Sequence, residues 1–366
     1  MAKARYIMIG GFLGAGKTTA VLALARKFRA DGKRAGLITN DQSYGLVDTA
    51  MLSSHGFDVE EIGGGCFCCR FDSLVDASNS LSKEARPDAF IAEPVGSCTD
   101  LRAAVSYPLR RMYGDDFEVA PLSVLVDPVR AERMLGLAEG RAFAPKVHYV
   151  YDKQLEEADA IVINKSDLLD EARLGALSAA LLNRYPHARL FAISARTGAG
   201  LEQWFEYMLT STCGSQDSPE VDYRTYAQGE ALLGWMNCTV KLKSDREFDG
   251  NAFLEALAAR MQNEMTTGEI AHLKMTLSPD QGNDIAVLNL VRNDGAVEFS
   301  HRLQAPLESG QLIVNMRAQD APQHLWLLTE SALGATVSEF GAASEIEQRE
   351  FFRPGEPRPT YRMATV

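Results

Sequence analysis

A short apolar run, Tyr6-Ile7-Met8-Ile9, breaks abruptly into Gly10-Gly11-Phe12-Leu13-Gly14-Ala15-Gly16-Lys17-Thr18-Thr19, and helical spacing follows over 18–30. A strand that turns into a helix through a glycine-rich loop restricts the fold sharply, because the next parallel strand is reached only by a crossover. Gly11, Gly14, Gly16, Lys17 and Thr18 satisfy G-x-x-x-x-G-K-[ST] in the strand-before, helix-after setting that the motif requires. There the glycines let consecutive backbone N–H groups curl around a phosphate, and the helix N-terminus adds its positive end. Lys17 would reach the β- and γ-phosphates and the Thr18 hydroxyl would ligate Mg2+.

The same alternation continues to about residue 210. Short apolar runs at 34–39, 89–92, 122–126, 160–163 and 190–193 are separated by helix-like stretches such as 101–113 and 171–184. Buried runs spaced by helices predict an α/β fold, a P-loop doubly wound and mostly parallel sheet. We therefore expect a nucleotide-binding domain over 1–210, and a polar, turn-rich linker over 211–232. Beyond it the rhythm changes. Strand patterns at 237–242, 270–277, 285–291, 297–300 and 312–316 accompany helices at 252–265 and 323–333, with Asp249 or Asn251 as the N-cap of the first. That predicts a smaller C-terminal α+β domain over 233–340. The proline- and arginine-containing tail, 341–366, reads as a loosely held terminus.

The end of the 160–163 run carries Asn164-Lys165-Ser166-Asp167, where a ligand crevice opens in such sheets. A carboxylate at Asp167 accepts from both N1–H and the exocyclic amine of guanine, a donor pair that adenine lacks, so GTP is favoured over ATP. Asn164 would support the loop, Lys165 would lie over the ring, and Ser194-Ala195 would complete the base pocket through a backbone N–H. On its own N-K-x-D is an ordinary helix cap; behind a phosphate loop and at a strand end it is specific. Two further loops suit Mg·GTP: Asn40-Asp41 after the second strand, and Glu93-Pro94-Val95-Gly96 after the third. Thr18, Asp41 and Glu93 are the expected Mg2+ residues, and Lys17, Glu93 and Asp41 the catalytic ones, with Gly96 presenting its N–H to the γ-phosphate. Gln42 is a candidate for positioning water on proximity alone, so slow intrinsic hydrolysis is expected.

The chain has six cysteines, far too few for a disulfide scaffold, yet three of them fall within Gly63-Gly64-Gly65-Cys66-Phe67-Cys68-Cys69. In an extended backbone Cys66 and Cys68 point to one side, and Cys69 joins them only if the chain bends, which the three glycines permit. Thiolates suit Zn2+, Co2+ or Cu+ rather than Mg2+. A metal site is the leading reading, with a redox switch and simple burial as alternatives. Cys98, Cys213 and Cys238 read as isolated. The six histidines are scattered, so the fourth coordination position has no assigned residue.

Lys plus Arg total 37 against 49 Asp plus Glu, a net charge of −12, which argues against nucleic acid or an anionic membrane as partner. No stretch reads as a signal peptide or a membrane span, and the expected compartment is the cytoplasm.

Taken in order, the phosphate loop, Asn40-Asp41, G-G-G-C-F-C-C, E-P-V-G, N-K-S-D and the small C-terminal α+β domain resemble the CobW-like metallochaperone GTPases. The resemblance covers nearly the whole chain. It implies that Gly14, Ala15, Gly16, Lys17, Thr18 and Thr19 bind phosphates, that Asn164 and Asp167 bind guanine, and that Glu93 is the switch glutamate. It also implies that Cys66, Cys68 and Cys69 bind a transition metal, Zn2+ or Co2+, beside Mg2+ with GTP. Tyr44 stands where many members carry a second carboxylate, and no histidine-rich stretch is present. The implied activity is GTP hydrolysis to GDP and phosphate, coupled to delivery of the ion to a client metalloprotein by a monomer or homodimer. A GTPase assembly factor with inert cysteines, a thiol redox switch and, more distantly, a P-loop kinase are the competing readings.

Overall fold

The computed structural model describes residues 3–42, 47–83 and 86–365. Tyr44, and with it most of the segment joining Asp41 to Asp48, lies outside the described residues. The chain forms two compact units, one of Met1–Tyr44, Gly56–Gly229 and Glu356–Val366, the other of Gly45–His55 and Glu230–Gly355.

The first unit is built on strands β1 (Ala4–Gly11), β2 (Ala35–Asn40), β3 (Val59–Ile62), β4 (Ala89–Glu93), β5 (Phe117–Val119), β6 (Ser123–Val126), β7 (Ala160–Ile163) and β8 (Arg189–Ala192). They form one sheet in the order β3-β2-β4-β1-β6-β7-β8, with β5 also on β1 and every pairing parallel. The expected doubly wound α/β sheet is therefore present, with the phosphate-loop strand at its centre. All residues of β1, β4, β6 and β7 are buried, as strands covered on both faces must be. Helices supply the cover: α1 (Lys17–Ala30), α3 (Phe71–Leu81), α4 (Tyr107–Tyr113), α5 (Pro128–Met134), α6 (Pro145–Glu156), α7 (Glu171–Arg184) and α8 (Leu201–Thr210), the short α2 (Val47–Ser54) belonging to the other unit. Inside the cover Trp204 is buried, with its indole N–H donating to Ser123 Oγ at 3.0 Å.

Three sequence expectations need correction here. The helix expected over 101–113 opens as a π-helical turn, Arg102–Ser106, before α4. Pro108 has no N–H to return to the carbonyl four residues back, so the ladder must shift there. The expected linker over 211–232 carries helix α9 (Tyr223–Glu230) and is packed. Tyr226 is buried and its hydroxyl accepts from the Thr99 N–H at 3.2 Å, while the Cys213 N–H donates to Val119 O at 2.9 Å. The tail is not loose either. Its first part is a strand of the second unit, and its last residues lie in the first, with Met363 N donating to Ala103 O at 2.9 Å and the Arg362 guanidinium donating to Asp100 at 2.8 Å.

The second unit is antiparallel throughout. Strands β9 (Gly234–Phe248), β10 (Glu269–Pro279), β11 (Ala286–Leu290), β12 (Glu298–His301), β13 (Leu307–Gln319) and β14 (Ala342–Phe352) pair in the order β12-β11-β10-β13-β9-β14. Helices α10 (Gly250–Glu264) and α11 (Pro322–Glu339) share their core with this sheet through Leu254, Leu257, Met261, Leu325 and Leu328. Asp249 caps α10, accepting from Asn251 N at 2.8 Å and Ala252 N at 3.1 Å. Edge strand β14 exposes Glu345, Glu347, Arg349 and Glu350, charges that discourage a further strand from pairing. Within this unit α2 is fixed by Lys274, paired with Asp48, and by the Val47 N–H, which donates to Asn315 Oδ1 at 3.2 Å. Among the described residues no helix is long and apolar enough to cross a membrane.

Candidate nucleotide and metal site

The phosphate loop leaves β1 at Gly11 and enters α1 at Lys17. Gly11 and Gly16 have φ of 131° and 85°, a region that side-chain-bearing residues avoid. Space excludes a side chain too: a Cβ on Gly11 would sit 2.3 Å from Leu125 O, and one on Gly16 2.4 Å from Asn164 Nδ2. The turn therefore presents N–H groups rather than side chains, which is what a phosphate needs.

Around the loop the separate motifs come together. Thr18 Oγ1 donates to Glu93 Oε1 at 3.1 Å, and Lys17 Nζ lies 3.9 Å from the same oxygen. All three side chains are buried, so the hydroxyl and carboxylate form a compact hard-oxygen pair of the kind Mg2+ takes. Gly96 packs its backbone on the loop, where a Cβ would meet Leu13 N at 3.0 Å. Asn164 donates to Ala15 O at 2.8 Å and accepts from the Ala195 N–H at 3.0 Å, joining the phosphate loop to the Ser194-Ala195 turn. Ser194 is buried, its Oγ accepting from Thr197 N at 3.2 Å. Asp167 stands exposed in a single 3-10 turn, Ser166–Leu168, just after Lys165 in left-handed backbone with φ 54°. Lys165 Nζ donates to Asp127 Oδ2 at 2.9 Å. Asp41 bends back on its own loop, its Oδ1 accepting from Gln42 N at 2.6 Å.

Three supports escaped the sequence reading. Asp127 caps α5 through Arg130 N at 3.0 Å as well as holding Lys165. Arg130 donates to Leu13 O at 2.9 Å, with its guanidinium between the Phe12 and Phe143 rings. Gln154 holds the glutamate loop, donating to Gly96 O at 3.0 Å and Cys98 O at 2.8 Å. The Asp127-Pro128 pair at the end of an apolar run was a legible cap signal. Gln154 carried none.

Residues 66–69 are a turn, the bend that Cys69 requires in order to join Cys66 and Cys68. Cys69 N and Arg70 N both donate to Cys66 O, at 3.0 and 2.9 Å, and α3 follows at once. The turn brings the three sulfurs together, with Sγ–Sγ distances of 2.9 Å for Cys66–Cys68, 3.3 Å for Cys66–Cys69 and 3.7 Å for Cys68–Cys69. Cys66 and Cys68 are buried and Cys69 is half-buried. The Cys66 thiol is held well below its usual range because Cys68, Cys69 and Cys98 hydrogen-bond its sulfur. Those bonds drive Cys68 well up and, chiefly through Cys66, push Cys69 up to about 11. Convergent soft donors of this kind suit a borderline or soft ion.

Asn40 was expected to face Mg2+ or the γ-phosphate. Its carboxamide is instead committed to the cysteine loop, donating to Ile62 O at 2.8 Å and Gly65 O at 2.7 Å and accepting from Phe67 N at 2.9 Å. The tail covers the same turn: Arg358 N donates to Cys69 Sγ at 3.1 Å, and Thr360 donates to Cys68 O at 2.8 Å through its N–H and to Cys69 O at 3.2 Å through its hydroxyl. Cys98, isolated in the sequence, reaches Cys66 and Cys68.

Sequence comparison finds relatives with related names. The chain is 31% identical over 189 residues to the zinc chaperone CobW of Sinorhizobium sp, spanning 46% of this chain and 53% of that protein. It is 32% identical over 166 residues to the zinc chaperone YeiR of Escherichia coli K12, spanning 44% and 46%. A zinc-regulated GTPase metalloprotein activator of Dictyostelium discoideum is 26% identical over 220 residues, spanning 50% and 44%. The chain thus spans about half the length of the curated relatives it matches. The family model described as CobW/HypB/UreG, nucleotide-binding domain, matches residues 5–191, half of the chain, with the phosphate loop, the cysteine turn and N-K-S-D all inside it. On these grounds the chain belongs to the CobW/HypB/UreG family.

Proposed function

We propose that this protein hydrolyses GTP and uses the nucleotide state to hold and release a transition metal ion, Zn2+ or Co2+, for a client protein. The observation that carries the reading is the convergence of Cys66, Cys68 and Cys69, whose sulfurs lie within 4.8 Å of one another in a turn fastened to the end of β2. Phosphates would be held by Gly11, Gly14, Ala15, Gly16, Lys17, Thr18 and Thr19. Asn164, Lys165, Asp167, Ser194 and Ala195 would hold guanine. Thr18 and Glu93 would hold Mg2+, with Asp41 from the β2 loop, and Mg2+ when bound would neutralise charge on the terminal phosphates.

The chain's own part in hydrolysis is positioning and charge. Lys17 reaches the terminal phosphates, Gly96 supplies an N–H from a loop packed on Leu13, and Glu93 reports the state of that loop to Thr18. Loss of the γ-phosphate removes those contacts, which loosens the glutamate loop and the cysteine turn. A thousandfold difference in metal affinity between the two states corresponds to about 4 kcal/mol, within reach of a few phosphate contacts. The reading further includes a cytoplasmic protein, monomeric or homodimeric, that meets its client without nucleic acid or membrane.

The test is metal affinity measured by competition with a chromophoric chelator, with and without a non-hydrolysable GTP analogue and Mg2+. The affinity is expected to differ at least about fivefold between the states, the lower end for linked sites. Equal affinities would sink the coupling. Retention of the client-directed function by Cys68→Ser would favour the assembly factor with inert cysteines instead.

A further inference from the structure

A fourth cysteine, Cys98, lies beside two of the three sulfurs of the cysteine turn. Cys98 is 1% exposed, and its sulfur lies within hydrogen-bond reach of both Cys66 and Cys68. It arrives from a different stretch of chain, the loop that follows β4. There its N–H donates to Val95 O at 3.0 Å, and its carbonyl accepts from Gln154 at 2.8 Å, so a tight turn and a buried side chain both set its backbone. A buried cysteine by itself is ordinary packing. Beside three convergent thiols it changes what the cluster can ligate.

We propose that Cys98 is the fourth sulfur of the metal site, so that Cys66, Cys68, Cys69 and Cys98 form a tetrathiolate shell, and that it enters on the nucleotide-sensing loop. The inference deepens the metal-cargo reading and rests on it. A tetrahedron with metal–sulfur bonds of about 2.3 Å has edges of about 3.8 Å. The three Sγ–Sγ distances within the turn, 2.9, 3.3 and 3.7 Å, fall at or below that edge, whereas Cys98 stands outside the group of sulfurs that lie within 4.8 Å of one another, so an ion would open the turn slightly and draw Cys98 in toward Cys69. Four sulfurs around a tetrahedral centre favour Zn2+ among the ions considered, because Zn2+ has no geometric preference to resist the shell. The loop placement supplies the regulation. Glu93 bonds Thr18, Gly96 packs on Leu13 of the phosphate loop, and Cys98 follows two residues later, with Gln154 gripping the Gly96 and Cys98 carbonyls together. A displacement of this loop when phosphate contacts are lost would withdraw one of the four ligands and leave a three-sulfur site that gives up its ion readily.

X-ray absorption of the zinc-loaded full chain, prepared anaerobically with Mg2+ and a GTP analogue, counts the sulfurs directly. Four sulfurs are expected in the wild type, and three plus one lighter atom in Cys98→Ala and Cys98→Ser. The variants should bind zinc more weakly by more than the roughly 10–100-fold that losing an outer-shell partner costs. They should also lose most of the difference in affinity between the GTP-analogue and GDP states, while nucleotide binding itself is retained. Three sulfurs in the wild type would overturn the tetrathiolate and leave the metal-cargo reading standing; a wild-type chain that binds no zinc would remove both. Should either variant fold poorly, the wild-type sulfur count still decides.

Discussion

The phosphate loop and the cysteine turn are both glycine-led loops at strand ends of the same sheet, and each is held by one asparagine whose carboxamide is spent on backbone. Asn164 ties Ala15 to Ala195; Asn40 ties Ile62 and Gly65 to Phe67. The loops differ in what they present. The first offers N–H groups, which follow from backbone conformation alone, so the loop and its brace suffice. The second offers side-chain sulfurs, whose direction depends on neighbours, and it draws on Cys98 from one side and on Arg358 and Thr360 from the other. Sites built from backbone can be read in one stretch of chain; sites built from side chains need distant stretches to agree.

The two asparagines offer the sharpest way to break this comparison. Asn40→Ala leaves buried donors and acceptors of the cysteine loop unpaired and should lower stability by about 2–4 kcal/mol, read from urea unfolding. Its metal affinity should fall while GTP-analogue affinity stays near wild type, and Asn164→Ala should show the reverse. If both variants lost both ligands equally, the loops would not be separately supported. Next in size, Lys17→Ala should weaken GTP-analogue binding by about 10–100-fold, the worth of a charged hydrogen bond to phosphate, measured by calorimetry. Zinc binding without nucleotide should be unchanged in that variant. A smaller effect is expected from Thr360→Pro, which removes the N–H and hydroxyl donated to the cysteine turn. The loss of about 1 kcal/mol of closure should raise the alkylation rate of Cys69 about fivefold, followed by mass spectrometry of the modified peptide. An unchanged rate would mean that the tail does not guard the turn.

Much of the first loop was legible because its determinants are local. Gly11, Gly16, Lys17 and Thr18 sit in one run, and the flanking strand and helix have strong apolar periodicity. The central strands were legible for the same reason. The polar β3, Val59–Ile62, was not, because a four-residue edge strand with two glutamates carries no apolar run. The partners of the cysteines were hidden for a different reason. Cys98 lies far along the chain from Cys69, and Arg358 farther still, so no spacing rule links them; only the crossover topology of the sheet does. Pro354, Pro357 and Pro359 mark the end of the tail as irregular, and irregular backbone is not the same as loose backbone. A proline-bearing segment with few conformations to lose can pack as firmly as a helix.

A further effect, read as a dependence on pH, lies in the scaffold. Glu157 is buried, and desolvation first, then the nearby Asp100 carboxylate, push it up to about 8. A carboxyl raised in the folded state binds its proton there over a pH range in which the unfolded chain has released it. Its contribution is therefore fully present below about pH 4.5 and is lost as pH rises through about 8. Glu157→Gln, which keeps an acceptor for the Arg102 N–H, should flatten that part of the stability–pH curve measured by urea unfolding between the two values. A wild-type curve with no such decline would show that the carboxyl ionises normally in place.

The covering of Cys69 by the tail has a consequence in time. Cys69 is synthesised 289 residues before Arg358, whose amide binds its sulfur. At about 5–20 residues per second, translation takes about 15–60 s to cross that distance. Over that interval Cys98 is made, after the glycines and Asn40, while the segment that closes over the sulfurs has not been. The order of synthesis leaves the cysteine turn accessible to an ion or an oxidant early in the life of the chain, and its cover arrives late.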